Sequence, residues 1–197
     1  MPTTPDSPPT ERKSPARERL LGTASKVFYE EGINAVSVDH VIEAAGVTRS
    51  TFYRHFPSKD DLVAACLTDR DDHIRAACAG AAAHEDDPAE LLRLIMGAIG
   101  DELCGPGFRG CPFINAAAEF PDPDSLVHKA VTEHRSWFRS TVVDLLTRAG
   151  LADPEEATGT MILLRDGAMV GGYLEDATAT RKSLVEAVDT VLVARAG

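Results

Sequence analysis

The twenty residues Ser37 to Phe56, SVDHVIEAAGVTRSTFYRHF, constrain this chain more than any other stretch. They read as two short helices joined by a tight turn. Ser37 is an N-cap and Asp39 complements the helix dipole in the first turn. Val38, Val41, Ile42 and Ala45 repeat at helical spacing and give one apolar stripe. Gly46 stands where a helix exits through a left-handed residue, and Val47 plugs the turn. Thr48 caps a second helix that runs from Arg49 to about His55. On it Phe52 and Phe56 lie four apart and share a side. Ser50, Thr51 and Arg54 lie opposite, flanked by Tyr53 and His55. A short helix with an aromatic bed beneath and Arg, Thr, Ser, Tyr and His above suits a DNA major groove. There a guanidinium forks to guanine, small hydroxyls reach base edges, and Tyr and Lys reach phosphate.

The run GVTRSTFYRHFPSKDDL, preceded by an amphipathic helix ending in YEEGINAVSV, resembles the DNA-binding domain of the TetR/AcrR-type family of bacterial helix-turn-helix transcriptional regulators. The resemblance runs from about Arg17 to Leu67. It rests on an ordered combination: a helix ending at Gly32, the helix-turn-helix, a helix with an aromatic pair and basic tip, and a capped fourth helix. The resemblance implies a DNA-binding domain over residues 16–62, with the helix-turn-helix at 37–56. It implies a ligand-binding and dimerisation domain over 63–197. The DNA-facing candidates are Ser37, Thr48, Arg49, Ser50, Thr51, Tyr53, Arg54, His55 and Lys59.

Charge is divided unevenly. The chain of 197 residues has a formal net charge of −11, yet residues 1–56 hold 7 Lys+Arg and 7 Asp+Glu. The acidity therefore lies wholly after the proposed head. A local basic tip of Arg49, Arg54 and Lys59 can meet phosphate while an acidic body limits indiscriminate DNA association. The same acidity also reads as an ordinary solvated surface.

Residues 1–15 contain five of the twelve prolines and read as a disordered arm. Arg12 and Lys13 there either reach a minor groove or belong to a passive tail. Helices are expected at about 17–31, 38–45, 49–55, 59–83, 88–103, 112–120, 125–149, 154–176 and 180–194. The start signals are Ser58 with Asp61, Asp87-Pro88-Ala89-Glu90 read as a box closed by Glu90, and Asp153-Pro154-Glu155-Glu156. No alternating strand pattern and no internal repeat is present. The expected fold is all-α, with about nine helices: an N-terminal three-helix head and a C-terminal helical bundle.

In the family, a ligand cavity lies beside a segment like GFRGCPFINAAAEFPDPD. A cavity in a helical bundle shows aromatic walls with a few polar groups in place of core residues. Here those are Phe108, Phe113, Asn115, Glu119, Phe120, His134, Trp137, Phe138, Thr141, Arg165, Met169 and Tyr173. Each aromatic also reads as plain core, and His134 as a hydrogen-bonded core histidine. For a dimer surface the resemblance points to the last two helices: Leu164, Gly167, Ala168 and Gly171 on one, Leu184, Val188, Val191 and Leu192 on the other. Burial of both stripes within one subunit is the alternative.

Cys104 and Cys111 flank the break CGPGFRGCP with six residues between them, which admits either a redox switch or two reduced structural thiols. No Cys/His spacing matches a zinc site, no glycine loop matches a phosphate binder, and no Ser/His/Asp order is persuasive. Neither metal, cofactor nor enzymatic activity is expected. No apolar run approaches the ~20 residues of a membrane span and no signal peptide core is present, so a cytoplasmic location with no membrane partner is expected. The resemblance implies a homodimeric regulator on a pseudo-palindromic operator. It implies repression relieved by a small-molecule effector, with activation, redox sensing or a protein partner as alternatives.

Overall fold

The computed structural model of the protein describes residues 14–194. Arg12, Lys13 and most of the expected arm lie outside the described residues. Its last two residues do not belong to an arm: Ser14 is the N-cap and Pro15 the first residue of α1.

The described residues form nine α-helices and no strand: α1 Pro15–Glu31, α2 Val38–Ala45, α3 Arg49–His55, α4 Lys59–Ala82, α5 Pro88–Leu103, α6 Pro112–Glu119, α7 Leu126–Arg148, α8 Pro154–Leu174 and α9 Ala177–Ala194. Side-chain caps set most of the starts. Ser37, Thr48 and Ser58 each accept a backbone N–H three residues on, from His40, Thr51 and Asp61, at 3.1 Å. Such a cap stabilises a helix by about 1 kcal/mol. The Asp87 carboxylate accepts the N–H groups of Ala89 and Glu90, but Glu90 does not close a box. Glu85 accepts the Asp87 N–H at 2.9 Å, and Glu90 takes the Arg93 guanidinium at 2.7 Å. α9 starts at Ala177 rather than near Thr180 because Asp176 caps it through the N–H groups of Thr178 and Ala179.

α1, α2 and α3 close a small core of Leu20, Ala24, Phe28, Val36, Val41, Phe52 and Phe56, with Leu62 from the start of α4. Gly46 sits at φ 61° and ψ 40°, the left-handed conformation that lets α2 turn into α3. α4 packs on α1 at one end and on α7 further along, so it belongs to both head and body. The boundary expected between residues 62 and 63 falls inside this unbroken helix.

The α8 and α9 expectation needs correction. Leu184, Val188 and Leu192 are buried within the chain itself, Val191 is half-buried, and Ala168 is buried too. α9 packs against α5 as well as α8, and Arg93–Asp189 and Arg181–Asp101 ion pairs at 2.7 Å bind it to α5. Gly171 and Gly172 of α8 serve the same packing. A Cβ on Gly171 would lie 3.1 Å from Thr180, and one on Gly172 would lie 2.9 Å from Leu103. The apolar face that α8 leaves uncovered is Leu163, Gly167, Val170 and Leu174, with Leu163 74% and Leu174 69% exposed. Those positions follow i, i+4, i+7, i+11 and share one side of the helix. Of the eight residues expected on a dimer surface, Gly167 alone is exposed, while Leu164, Gly171 and Val191 are half-buried.

Candidate functional site

α3 is seven residues long and stands on Phe52, which is fully buried, and Phe56. Burying each ring contributes about 1.5–3 kcal/mol, so the short helix is held by its underside rather than by its own propensity. Phe52 meets Tyr53 edge-on at 5.1 Å, which fixes the phenol at the rim of the helix. Ser50, Tyr53 and Arg54 are exposed and Thr51 is half-buried. Among the described residues Arg54 has no ion-pair partner, and its exposed guanidinium is the most available cation of this surface.

The remaining DNA-facing candidates are more engaged. Ser37 and Thr48 spend their oxygens on capping, and Thr48 Oγ1 also bonds the Ser50 and Thr51 hydroxyls at 3.0 and 2.8 Å. Arg49 forms an ion pair with Asp39 across the turn. Both groups are exposed, so such a pair contributes little stability and a phosphate can compete for the arginine. His55 turns toward the start of α1, with Nε2 3.3 Å from Ser14 Oγ. Lys59 lies over the Phe28 ring at 5.9 Å, close beside α3.

The twelve residues expected to wall one cavity divide between two places. One is a packed cluster. Phe113 stacks on His134 with centroids 3.7 Å apart and planes 6° apart. His134 Nδ1–H donates to Asp71 of α4 at 2.7 Å. Trp137 lies beside His134 and under the Arg75 guanidinium, which also pairs with Asp71 at 2.8 Å. Burial holds the His134 pKa below its ordinary value, and the Asp71 carboxylate only partly offsets it. The imidazole is therefore neutral at pH 7 and acts as a hydrogen-bonded core group. Arg165 donates to Cys111 Sγ at 3.2 Å and to Asp166 at 2.8 Å, with its guanidinium over Phe138. Burial pushes the Asp166 carboxyl up, but hydrogen bonds from Arg135 and Arg165 outweigh it and hold the pKa low. Thr141 donates to the Trp137 carbonyl one turn back, Phe120 offers its carbonyl to the His128 ring, and Met169 is buried. A surface cleft of about 320 Å³ opens beside this cluster, next to His134, Phe138 and Arg165.

The other place is a cleft of about 1020 Å³ between head and body. Of the expected residues, Phe108, Asn115, Glu119 and Tyr173 line it. Its remaining walls are the body-facing side of α1, the first half of α4 and the 105–109 loop. Two attachments cross it from head to body. Tyr29 Oη of α1 donates to Gly110 O at 2.8 Å and accepts from Arg109 N at 2.7 Å. The Glu119 carboxylate accepts Ile33 N–H at 2.9 Å and Asn34 N–H at 2.5 Å. Burial raises the Tyr29 pKa further above neutrality, so this phenol remains a donor. Cys66 lines the cleft as an inert thiol, pushed by burial up to about 11.

Sequence reasoning had no signal for Tyr29, which looks like any aromatic on an amphipathic helix, nor for Arg109 and Gly110, which act through backbone atoms. All four cysteines are free; Cys104 is exposed at the end of α5 and Cys111 is buried as the N-cap of α6. Among the described residues, no group of three or more His, Cys, Asp or Glu is placed to hold a metal ion, and no helix is long and apolar enough to cross a membrane.

With this geometry in place, comparison with known proteins adds the following. A family model described as bacterial regulatory proteins, tetR family, matches residues 20–66, which take in most of α1, all of α2 and α3 and the first turns of α4. The solved structure of SCO4454, a TetR-family transcriptional regulator from Streptomyces coelicolor, is similar at 43% identity and a TM-score of 0.89, covering 92% of this chain and 96% of that one. The HTH-type transcriptional regulator TtgR of Pseudomonas putida is 31% identical over 94 residues, 47% of this chain and 45% of that protein, so the match spans just under half of that relative. The HTH-type transcriptional regulator LmrA of Bacillus subtilis is 23% identical over 167 residues, 83% of this chain and 87% of that protein.

Proposed function

This chain belongs to the TetR family of DNA-binding transcriptional regulators, and from that premise we propose that it is a homodimeric repressor whose operator binding is relieved by a small molecule. The observation that carries the DNA half of this reading is α3. Its exposed side presents Ser50, Tyr53 and Arg54, held at fixed height by Phe52 and Phe56 beneath. Arg54 is the base-reading residue and Tyr53, Arg49 and Lys59 are its phosphate partners. Two copies of α3 enter successive major grooves, about 34–36 Å apart on a pseudo-palindromic site.

The residues proposed to join the two copies are Leu163, Gly167, Val170 and Leu174. An uncovered apolar stripe on a helix invites a matching partner, and Gly167 at its centre admits close approach. Because α4 is shared between head and body, a displacement at its body end alters the separation of the two heads. The domain division at residues 62 and 63 is in this reading functional rather than a break in the chain.

A gel shift with the DNA upstream of the protein's own gene tests the reading. Wild type binds there. Arg54→Ala weakens binding by about 1–3 kcal/mol and relaxes preference at one base pair of each half-site. Equal binding by wild type and Arg54→Ala removes Arg54 from base reading. Leu174→Arg yields a folded monomer with weak operator binding by sedimentation and gel shift, and a stable Leu174→Arg dimer removes the α8 stripe. Val188→Arg, by contrast, forces a charge into the chain's own core and unfolds it.

A further inference from the structure

We infer that the effector site is the cleft between head and body, and that it takes an uncharged apolar molecule; this rests on the release by a small molecule proposed above. Three observations lead there. The first is space. The junction cleft is about 1020 Å³, against about 320 Å³ for the opening beside the aromatic cluster, and sites for drug-sized ligands run from about 300 to 1,000 Å³. The cluster itself is packed by its own stacking and ion pairs, with Arg165 Nε left without a hydrogen-bond partner among the described residues.

The second is the chemistry of the walls. The cleft carries many charged groups, but they are largely spoken for. Arg70 pairs with Glu102 and Lys26 with Glu30 at 4.0 Å, His73 Nδ1 lies 2.6 Å from the Asp69 carbonyl oxygen, and Glu119 holds two backbone N–H groups, while the Arg109 guanidinium stays exposed at the rim. These pairs are exposed and individually weak, but they leave the charges of the wall mutually neutralised, so it offers a charged ligand little net attraction. The apolar surface still open to water is that of Pro106, Phe108 and Tyr173, backed by the already buried Phe28, Ile33 and Leu67. An uncharged ring-bearing molecule removes that surface from water at about 25 cal/mol per Å² and leaves the pairs intact.

The third is leverage. One wall is α1, part of the head, and the facing wall is the 105–109 loop and α6, part of the body. The Tyr29–Arg109/Gly110 and Glu119–Ile33/Asn34 hydrogen bonds hold the two walls at their present spacing. A molecule wedged between the walls acts on the head directly. It shifts the equilibrium toward release only by as much as it prefers the parted walls, so those few bonds set the energy it must overcome.

Nile red, a neutral apolar dye that brightens on leaving water, is the probe. It is titrated into the full-length protein and into three variants whose folding is checked by circular dichroism. Ala118→Trp fills the cleft from α6 and Ser25→Trp fills it from α1; both positions are exposed. Thr132→Trp fills the smaller opening. The dye binds wild type and Thr132→Trp alike, and each cleft filler weakens it roughly tenfold or more. Absence of dye binding to wild type, or loss of binding in Thr132→Trp alone, or full binding in both fillers, overturns the cleft as the site. Operator affinity measured with saturating dye separates the two proposals. Binding blocked by both fillers with operator affinity unchanged upholds the site and contradicts release. A compound that releases DNA equally from wild type and both fillers upholds release and overturns the site.

Discussion

The head–body cleft and the His134 cluster draw on the same kinds of residue and end up differently. Both contain phenylalanine, an arginine–carboxylate pair and a histidine. In the cluster each side chain is the partner of the next: Phe113 on His134, His134 on Asp71, Asp71 on Arg75, Arg75 on Trp137. The two attachments that cross the cleft run instead to backbone groups, at Arg109 and Gly110 in one loop and at Ile33 and Asn34 in another. Backbone attachments hold two walls apart at a set distance, whereas side-chain stacks draw helices together, and the opening beside this stack is about 320 Å³ against about 1020 Å³ for the cleft. Aromatic content alone therefore does not mark a cavity. What matters is whether the residues between the walls are side chains that can collapse or loop backbone that cannot.

The largest test of this contrast is Phe113→Ala. Phe113 is almost wholly buried on the His134 ring, and its loss lowers stability by about 3–5 kcal/mol in urea denaturation. A loss below about 1 kcal/mol would mean that the cluster is loosely packed and open to ligands.

Next comes pH. The folded pKa of His134 lies below the ordinary 6.5, chiefly through burial, with Arg165 and Arg75 also opposing its charge and Asp71 favouring it. A lowered histidine contributes stability that is complete above the ordinary value and is lost as pH falls from there toward the folded value. The melting temperature accordingly drops by on the order of a few degrees on acidification through this window. His134→Gln, which keeps an N–H for Asp71 and cannot titrate, has a flatter profile. Parallel profiles for the two proteins would show that the cluster does not hold a neutral imidazole.

Tyr29→Phe removes one phenol from the head–body attachment and leaves the cluster untouched. About 0.5–1.5 kcal/mol of stability is lost, toward the lower end because the group is only partly buried. Its sharper effect is on coupling: bound Nile red changes operator affinity less in Tyr29→Phe than in wild type. Smallest of all, Ala118→Trp at the exposed rim of the cleft changes stability by no more than about 0.5 kcal/mol. A larger loss would mean that the cleft is more tightly closed than the cluster.

These outcomes also show what could be read from the chain before its structure. The helix starts were legible because Ser37, Thr48, Ser58 and Asp87 act on neighbours two or three residues away. The underside of α3 was legible for the same reason, since Phe52 and Phe56 are one turn apart. The partners of a helix were not. Leu184, Val188 and Leu192 make a stripe whether they face α5 of the same chain or a second copy, and periodicity does not distinguish the two. The exposed α8 stripe of Leu163, Val170 and Leu174 was readable in principle from its i, i+4, i+7, i+11 spacing. Small residues alone are a poorer guide, since Gly167 belongs to the exposed stripe while Gly171 and Gly172 bring α8 close to α9 and α5. The attachments at Tyr29 and Glu119 join residues some 80 positions apart, one of them through backbone atoms on both sides of a glycine-rich turn. Nothing local in the sequence encodes them.

The central claim is that the cleft moves while the cluster holds, and hydrogen exchange on the full-length protein with and without saturating Nile red tests it most directly. The amides of Ile33 and Asn34, both donated to Glu119, exchange faster when the dye parts the walls, and those of α7 from His134 to Val142 do not change. Unchanged exchange at Ile33 and Asn34, with altered protection in α7, would contradict it.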